Sequence, residues 1–161
     1  KKIVEDICRS YHEKYSLQIS IIRFFSIYGN GLKKQLFWDA IKKFRNAKKE
    51  VIFFGTGDET RDFIHISDVL RLIDNILKVE SDFLIINGGT GVRTTIKNII
   101  RIIQKLINPN ISIKFSDQNN IGNPKYYWAD TNKLQNYNYK TNKSLDQGIN
   151  EYINWVKSLD D

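Results

Sequence analysis

The segment Phe53-Phe54-Gly55-Thr56-Gly57-Asp58-Glu59-Thr60-Arg61-Asp62-Phe63-Ile64-His65-Ile66-Ser67-Asp68-Val69 constrains the fold more than any other part of the chain. An apolar run from Val51 to Phe54 reads as a short strand, and it ends in Gly55 and Gly57, which can take backbone angles that other residues avoid. A helix opens at Ser67, whose hydroxyl is placed to cap it, and its apolar stripe is Val69, Leu70, Leu72, Ile73, Ile76 and Leu77. Between strand and helix stands Arg61, a permanently charged planar fork suited to phosphate. The competing reading is an arginine in a structural ion pair with Asp62 or Asp68.

The same alternation of strand and helix continues along the chain. Ile3, Ile7, Tyr11 and Tyr15 fall four apart, with Val4 and Cys8 alongside, so a helix is predicted from Lys1 to Tyr15. Leu17 to Phe25 is a β-branched apolar run, read as a buried strand and broken by Tyr28-Gly29-Asn30-Gly31. Leu36, Phe37, Ala40, Ile41 and Phe44 have helical spacing. Phe83 to Asn87 reads as a strand, closed by the turn Gly88-Gly89-Thr90-Gly91. Thr95 caps a helix carrying Ile96, Ile99, Ile100, Ile103 and Leu106, and Pro109 stops it. Ile111 to Phe115 is a further strand. Ser144 and Gln147 form a capping box for a last helix with Ile149, Tyr152, Ile153 and Val156 inward. Strands alternating with helices define an α/β chain.

Composition narrows the function. The chain has 161 residues, 41% of them hydrophobic, which is enough for a domain with a real core and too apolar for a disordered tail. No apolar run is long enough to cross a membrane, no secretory signal is evident, and a single cysteine, Cys8, excludes an internal disulfide; a cytoplasmic protein is expected. Cys8 falls on the apolar stripe of the first helix and reads as a packing residue. The net charge of +7 raises the question of nucleic acid, but the lysines are spread over most segments and no nucleic-acid motif accompanies them. The sequence contains no methionine and opens within a helical pattern, so it reads as the C-terminal part of something longer.

The motifs together supply a more specific reading. Gly55-x-Gly57-x-x-x-Arg61-Asp62-Phe63-x-His65-x-x-Asp68, Arg23-Phe24-Phe25-Ser26-Ile27-Tyr28-Gly29 and Tyr127-Trp128-Ala129-Asp130 occur in order. This succession resembles the nucleotide-sugar epimerases and dehydratases, the extended short-chain dehydrogenase/reductase family, over essentially the whole chain. The resemblance implies the last strands of a Rossmann-type parallel sheet plus the smaller α/β substrate-binding domain. Residues 1–30 would end the NAD(P)-binding domain. Residues 31–161 would be mainly the nucleotide-sugar domain, with 62–90 returning to the Rossmann sheet.

The same resemblance implies roles. Lys1, four residues before Glu5, matches the lysine of a Tyr-x-x-x-Lys motif whose tyrosine would lie just upstream; one helical turn lets both reach one cofactor, and the ammonium lowers the tyrosine pKa. An ordinary surface Lys1-Glu5 pair is the alternative. Backbone near Phe24 and Phe25 would lie beside the nicotinamide, and Ser26 would touch the substrate. Lys34 and Gln35 would contact the diphosphate, Ile52 and Phe54 would pair their backbone with the base, Arg61 would grip the diphosphate, and Tyr127 would border the sugar. Asn120 stands where the family has a second arginine, so one of Lys33, Lys34 or Lys125 is expected to substitute for it, with Lys34 preferred. The Gly88–Gly91 turn is expected to be structural, as are Asp62, His65 and Asp68.

The implied cofactor is NAD, or NADP, held mostly by the N-terminal half that this sequence does not include. The implied partner is a nucleoside-diphosphate sugar, with no nucleic acid, membrane or metal, and the parent is expected to be a homodimer. The implied reaction is 4-epimerisation through a 4-keto intermediate, with 4,6-dehydration or 4-keto reduction as alternatives. The chain alone is expected to lack turnover. A non-catalytic basic binding module is the rival from another class.

Overall fold

The computed structural model describes residues 1–118, 122 and 124–159. Asn120 and Asn123 therefore lie outside the described residues. Helix α1 (Lys2–Tyr15) leads into β1 (Ile19–Phe24), and the chain resumes one residue later as β2 (Ser26–Tyr28). Helix α2 (Gln35–Asn46) and β3 (Glu50–Phe53) follow, then β4 (Thr60–Arg61), β5 (Phe63–His65) and α3 (Ile66–Ile76). The second half adds β6 (Phe83–Gly88), β7 (Thr94–Thr95), α4 (Ile96–Ile107), β8 (Ser112–Phe115), α5 (Asn132–Gln135) and α6 (Leu145–Lys157).

Among the described residues, three strand pairs are parallel. Ile19 to Phe24 lie opposite Phe83 to Gly88, Ser26 to Tyr28 opposite Phe63 to His65, and Glu50 to Phe53 opposite Ser112 to Phe115. Parallel neighbours require crossover connections, which the intervening helices supply. The short pair β4 and β7 is antiparallel and brings Arg61 opposite Thr94.

Two apolar clusters hold this arrangement. The larger joins Phe37, Ala40, Ile41 and Phe44 of α2, Val51 and Phe53 of β3, Ile99, Ile100 and Ile103 of α4, and Ile149, Tyr152, Ile153 and Val156 of α6, with Tyr28 at its edge. The smaller joins Leu72 and Ile76 of α3, Leu84 and Ile86 of β6, and Leu134 and Tyr139. Each fully buried isoleucine or leucine contributes roughly 1.5–3 kcal/mol of transfer free energy. Thr95 Oγ1 accepts from Asn98 N–H at 3.2 Å, and Ser144 with Gln147 completes the capping box of α6, as their sequence positions predict.

Some expectations are corrected. Helix α3 opens at Ile66, one residue before Ser67, because β5 runs directly into it; the cap is the imidazole of His65, which accepts from Ser67 N–H at 3.3 Å and pairs with the Ser67 hydroxyl at 2.8 Å. Leu70 and Leu77, placed on the apolar stripe from spacing, are exposed, since only Asp68, Val69, Leu72 and Ile76 of this helix are buried. The strand read from Leu17 to Phe25 as buried is only half buried, because β1 has one ladder partner, β6, among the described residues. Helix α1 buries none of its residues; Ile3, Val4, Ile7, Tyr11 and Tyr15 are exposed, and Cys8 is a half-buried free thiol.

Candidate functional site

The strand ends and the glycine turn converge on one cavity of about 810 Å³. Among the described residues it is lined by Ser26 and Ile27 of β2, Gln35, Leu36 and Phe37 at the start of α2, Phe54, Thr56, Glu59, Arg61, Phe63, Ile96 and Lys125. Its floor is apolar: Phe37 stacks on Tyr28 with centroids 4.4 Å apart, and Phe63 meets Phe37 edge-on at 5.2 Å. Its polar lining carries two cations, Arg61 and Lys125, and one acid, Glu59.

The turn that feeds the cavity is fixed by the chain itself. The Glu59 carboxylate accepts from Thr56 N–H and Gly57 N–H, both at 2.9 Å, so the 55–59 loop is folded around one side chain. Burial alone would raise the Glu59 pKa, but those amides outweigh it and hold the carboxyl below its ordinary value. Gly57 has φ +81°, and a Cβ there would come within 2.6 Å of the Phe115 ring, so the close pass of β8 requires glycine. Gln35 also has a positive φ, 68°, at the cavity edge. A non-glycine residue in that region carries local strain, typically found where a side chain has to be aimed.

Arg61 is half buried on β4, and its Nη1 donates to Thr60 O at 2.7 Å. The acids that flank it in sequence are engaged elsewhere. Asp62, fully buried, accepts from Thr90 N–H (2.8 Å), Thr90 Oγ1–H (2.6 Å), Gly91 N–H (2.8 Å) and Ala129 N–H (3.2 Å). Asp68 accepts from Arg71 Nη1 at 2.8 Å and from the amides of Asn142 and Lys143 at 3.0 and 3.1 Å. The Gly88–Gly91 turn thus spends its Thr90 and Gly91 amides on a protein carboxylate. A Cβ at Gly89 would come within 2.6 Å of both Asp62 Oδ2 and Ala129 Cβ.

Of the residues singled out in the sequence, Ser26, Gln35, Phe54 and Arg61 line the cavity together. Tyr127 packs at a tilt against Phe25 with centroids 4.6 Å apart, beyond the carboxyl end of β1, and Phe24 packs on the smaller apolar cluster. Ile52 is exposed on β3, two residues before Phe54. Lys34 is the N-cap residue of α2 and does not line the cavity, and neither does Lys33; of the three lysines weighed, Lys125 is the one that lines it. Lys1 is exposed at the N-cap of α1. Its expected partner Glu5 is gripped by Arg23, Nε to Oε1 at 2.7 Å and Nη2 to Oε2 at 2.5 Å, a contact that holds the Glu5 carboxyl below its ordinary range. Glu59 was legible as a loop acid but carried no motif signal for its role. Thr56 and Ile96 had none either.

Parallel strand pairs joined by helices, with a ligand-sized cavity lined by the first residues of β2 and β5 and by Phe54 just beyond the end of β3, define a Rossmann-like α/β protein. The chain belongs to the NAD dependent epimerase/dehydratase family, whose model matches residues 1–87. It is 29% identical to an uncharacterized UDP-glucose epimerase of Bacillus subtilis over 96% of its length and 49% of that protein. It is 29% identical to the UDP-glucuronate 4-epimerase of Thermodesulfobacterium geofontis over 98% of its length and 49% of that protein. Its fold superposes with a TM-score of 0.85 on a mutant UDP-glucuronic acid 4-epimerase from Bacillus cereus in complex with UDP-4-deoxy-4-fluoro-glucuronic acid and NAD, at 29% identity, covering 96% of this chain and 50% of that one. The chain spans about half the length of the curated relatives it matches. No helix among the described residues is long and apolar enough to cross a membrane.

Proposed function

We propose that this chain forms the nucleotide-sugar side of an NAD(P)-dependent 4-epimerase, the other half of whose active site is supplied by sequence outside it. The observation that carries the reading is the cavity itself, which Arg61 and Lys125 line together with Ser26, Gln35 and Phe54. A diphosphate entering a partly desolvated pocket requires compensating charge. Arg61 supplies a fork and Lys125 a point charge, while Asn120, at the position of the second arginine, supplies none. Ser26 Oγ–H is placed to donate to a sugar hydroxyl or keto oxygen. Phe25 and Tyr127 border the sugar from the β1 side.

The carboxyl end of β1, at Phe24 and Phe25, fits a flat nicotinamide: it is a parallel strand end flanked by an aromatic ring and by Gly88, which has no side chain to obstruct it. NAD, or NADP, would supply there a hydride acceptor that later returns the hydride. Lys1 holds a positive charge near the cofactor and depresses the pKa of a tyrosine one turn upstream, so that the tyrosine can take and return the proton of the sugar 4-hydroxyl. The chain's own side chains hold the diphosphate while the 4-keto sugar turns, which inverts C4 with no net oxidation. Residues 1–30 and the 62–90 segment are assigned to the cofactor domain, and the remainder to the substrate domain. The parent is read as a cytoplasmic homodimer, and the exposed Ile3, Ile7 and Tyr11 of α1 support a helix-packed interface.

The test is Arg61→Ala in the complete protein. Losing a charge-assisted fork worth roughly 1.5–3 kcal/mol should weaken UDP-sugar binding about 10- to 150-fold while the thermal transition is retained. Unchanged affinity with a collapsed fold would assign Arg61 to structure instead.

A further inference from the structure

Among the described residues, strand β3 has a ladder partner, β8, on one edge, and its other edge is open. Its ladder to β8 uses the outward groups of Lys49, Val51, Phe53 and Gly55: Ser112 N–H donates to Lys49 O, Ser116 N–H to Phe53 O, and Asp117 N–H to Gly55 O. By the alternation of a strand, the N–H and C=O of Ile52 and Phe54 point the other way. Both side chains are exposed, and Phe54 lines the cavity. The free edge therefore presents the Ile52 carbonyl as an acceptor, followed by the Phe54 N–H as a donor.

A third group stands at that edge. Lys43, in the last turn of α2, donates from Nζ to Ile52 O at 2.7 Å, and its ammonium lies 5.0 Å from the Phe53 ring centroid. An ammonium has three N–H donors. With one on Ile52 O, two remain beside the same carbonyl. Lys43, Ile52 and Phe54 together offer donor, acceptor, donor.

We propose that Lys43 sets the base specificity of the site, selecting an imide base, uracil or thymine, over guanine; this rests on the nucleoside-diphosphate reading above. An imide shows carbonyl, N–H, carbonyl, which matches all three groups. Guanine shows carbonyl, N–H, amine. Its lactam half satisfies the backbone pair of Ile52 and Phe54 as well as uracil does, so the backbone alone cannot distinguish the two. Its amino group would meet the Lys43 ammonium, donor against donor. Cytosine fails already at Ile52 O, where its unprotonated N3 faces a carbonyl.

The experiment is isothermal titration of the complete protein with UDP, dTDP, GDP and CDP, which share a diphosphate and differ in the base. The wild type should bind UDP and dTDP in preference to GDP and CDP. Lys43→Met keeps the aliphatic stem over Phe53 and removes the donors. Its UDP-over-GDP preference should fall about tenfold or more, with GDP binding undiminished. Lys42→Met removes the same charge from the neighbouring position, where the ammonium lies 4.7 Å from the Trp38 centroid, and should leave the ratio unchanged. An unaltered ratio in Lys43→Met, an equal change in Lys42→Met, or a wild type that prefers GDP would each overturn the assignment. A wild type that binds none of the four overturns the nucleotide reading and takes this assignment with it.

Discussion

Asp62 is the residue whose loss the structure allows to be costed most directly. It is fully buried, and each carboxylate oxygen accepts two donors: Oδ1 takes Thr90 N–H and Thr90 Oγ1–H, and Oδ2 takes Gly91 N–H and Ala129 N–H. Asp62→Asn preserves the shape. With the new NH₂ at the Oδ1 position the Thr90 hydroxyl can turn to accept from it, the oxygen still takes Gly91 N–H and Ala129 N–H, and Thr90 N–H is left facing a donor. One stranded amide costs about 1–3 kcal/mol, and the remaining bonds lose the help of the carboxylate charge, so a total near 2–3 kcal/mol is expected. Urea slopes for domains of this kind are about 1–3 kcal/mol/M, so the unfolding midpoint should fall by roughly 1–2 M at unchanged slope. Urea unfolding of the complete protein, followed by tryptophan fluorescence and by far-UV circular dichroism, measures this. A loss below about 1 kcal/mol would refute the reasoning, because it would mean that the turn's amides find other acceptors and that Asp62 is not what closes it.

Two further predictions concern the core beneath the cavity. His65 is buried, and that burial, with help from Lys143 and against Glu151 and Asp68, holds its pKa below the model-compound value of 6.5. Its contribution to stability is complete above about pH 6.5 and is lost as pH falls through the lower folded value; the urea midpoint should drop between pH 7.5 and 5.5 in the wild type and more weakly in His65→Gln, and parallel curves would contradict this. Gly148 of α6 packs against the Tyr28 ring and hydroxyl with no room for a Cβ, so Gly148→Ala should cost about 1–3 kcal/mol despite the helix preference of alanine; a stabilised variant would show that Tyr28 moves freely.

Much of this was legible in the residues. Thr95 and the Ser144-Gln147 box announce their helices because the cap and the first turn are adjacent in sequence, and the isoleucines of α4 reveal their buried face by spacing. The cap of α3 was not legible. Ser67 has the preferred chemistry, yet β5 extends to His65 and places an imidazole where a hydroxyl was expected. The strands β4 and β7 are two residues each and exist only because Thr60 and Arg61 meet Thr95 and Thr94, a pairing no local pattern encodes. At the site, Arg61 and Ser26 carried motif signals. Lys125 did not outrank Lys34 in sequence, because which lysine lines the cavity depends on a non-local pairing, Lys125 O accepting from Thr60 N–H at 2.9 Å. Lys43 was invisible, since a lysine in a helix's last turn is ordinary until a strand edge is found beside it.

The parallel ladders also govern how the chain reaches this state. Ile19 must find Phe83, Ser26 must find Phe63 and Glu50 must find Ser112, and each partner waits until tens of intervening residues have been made. Loop closure over such spans is entropically unfavourable before any ladder bond rewards it, whereas α4 and α6, with their own caps, can form at once. The chain therefore belongs with slow folders whose helices precede their sheet. During that interval the apolar runs of β1 and β6 stand unpaired, which makes crowding of nascent chains, and not the stability of the finished fold, the point at which this sequence is most vulnerable.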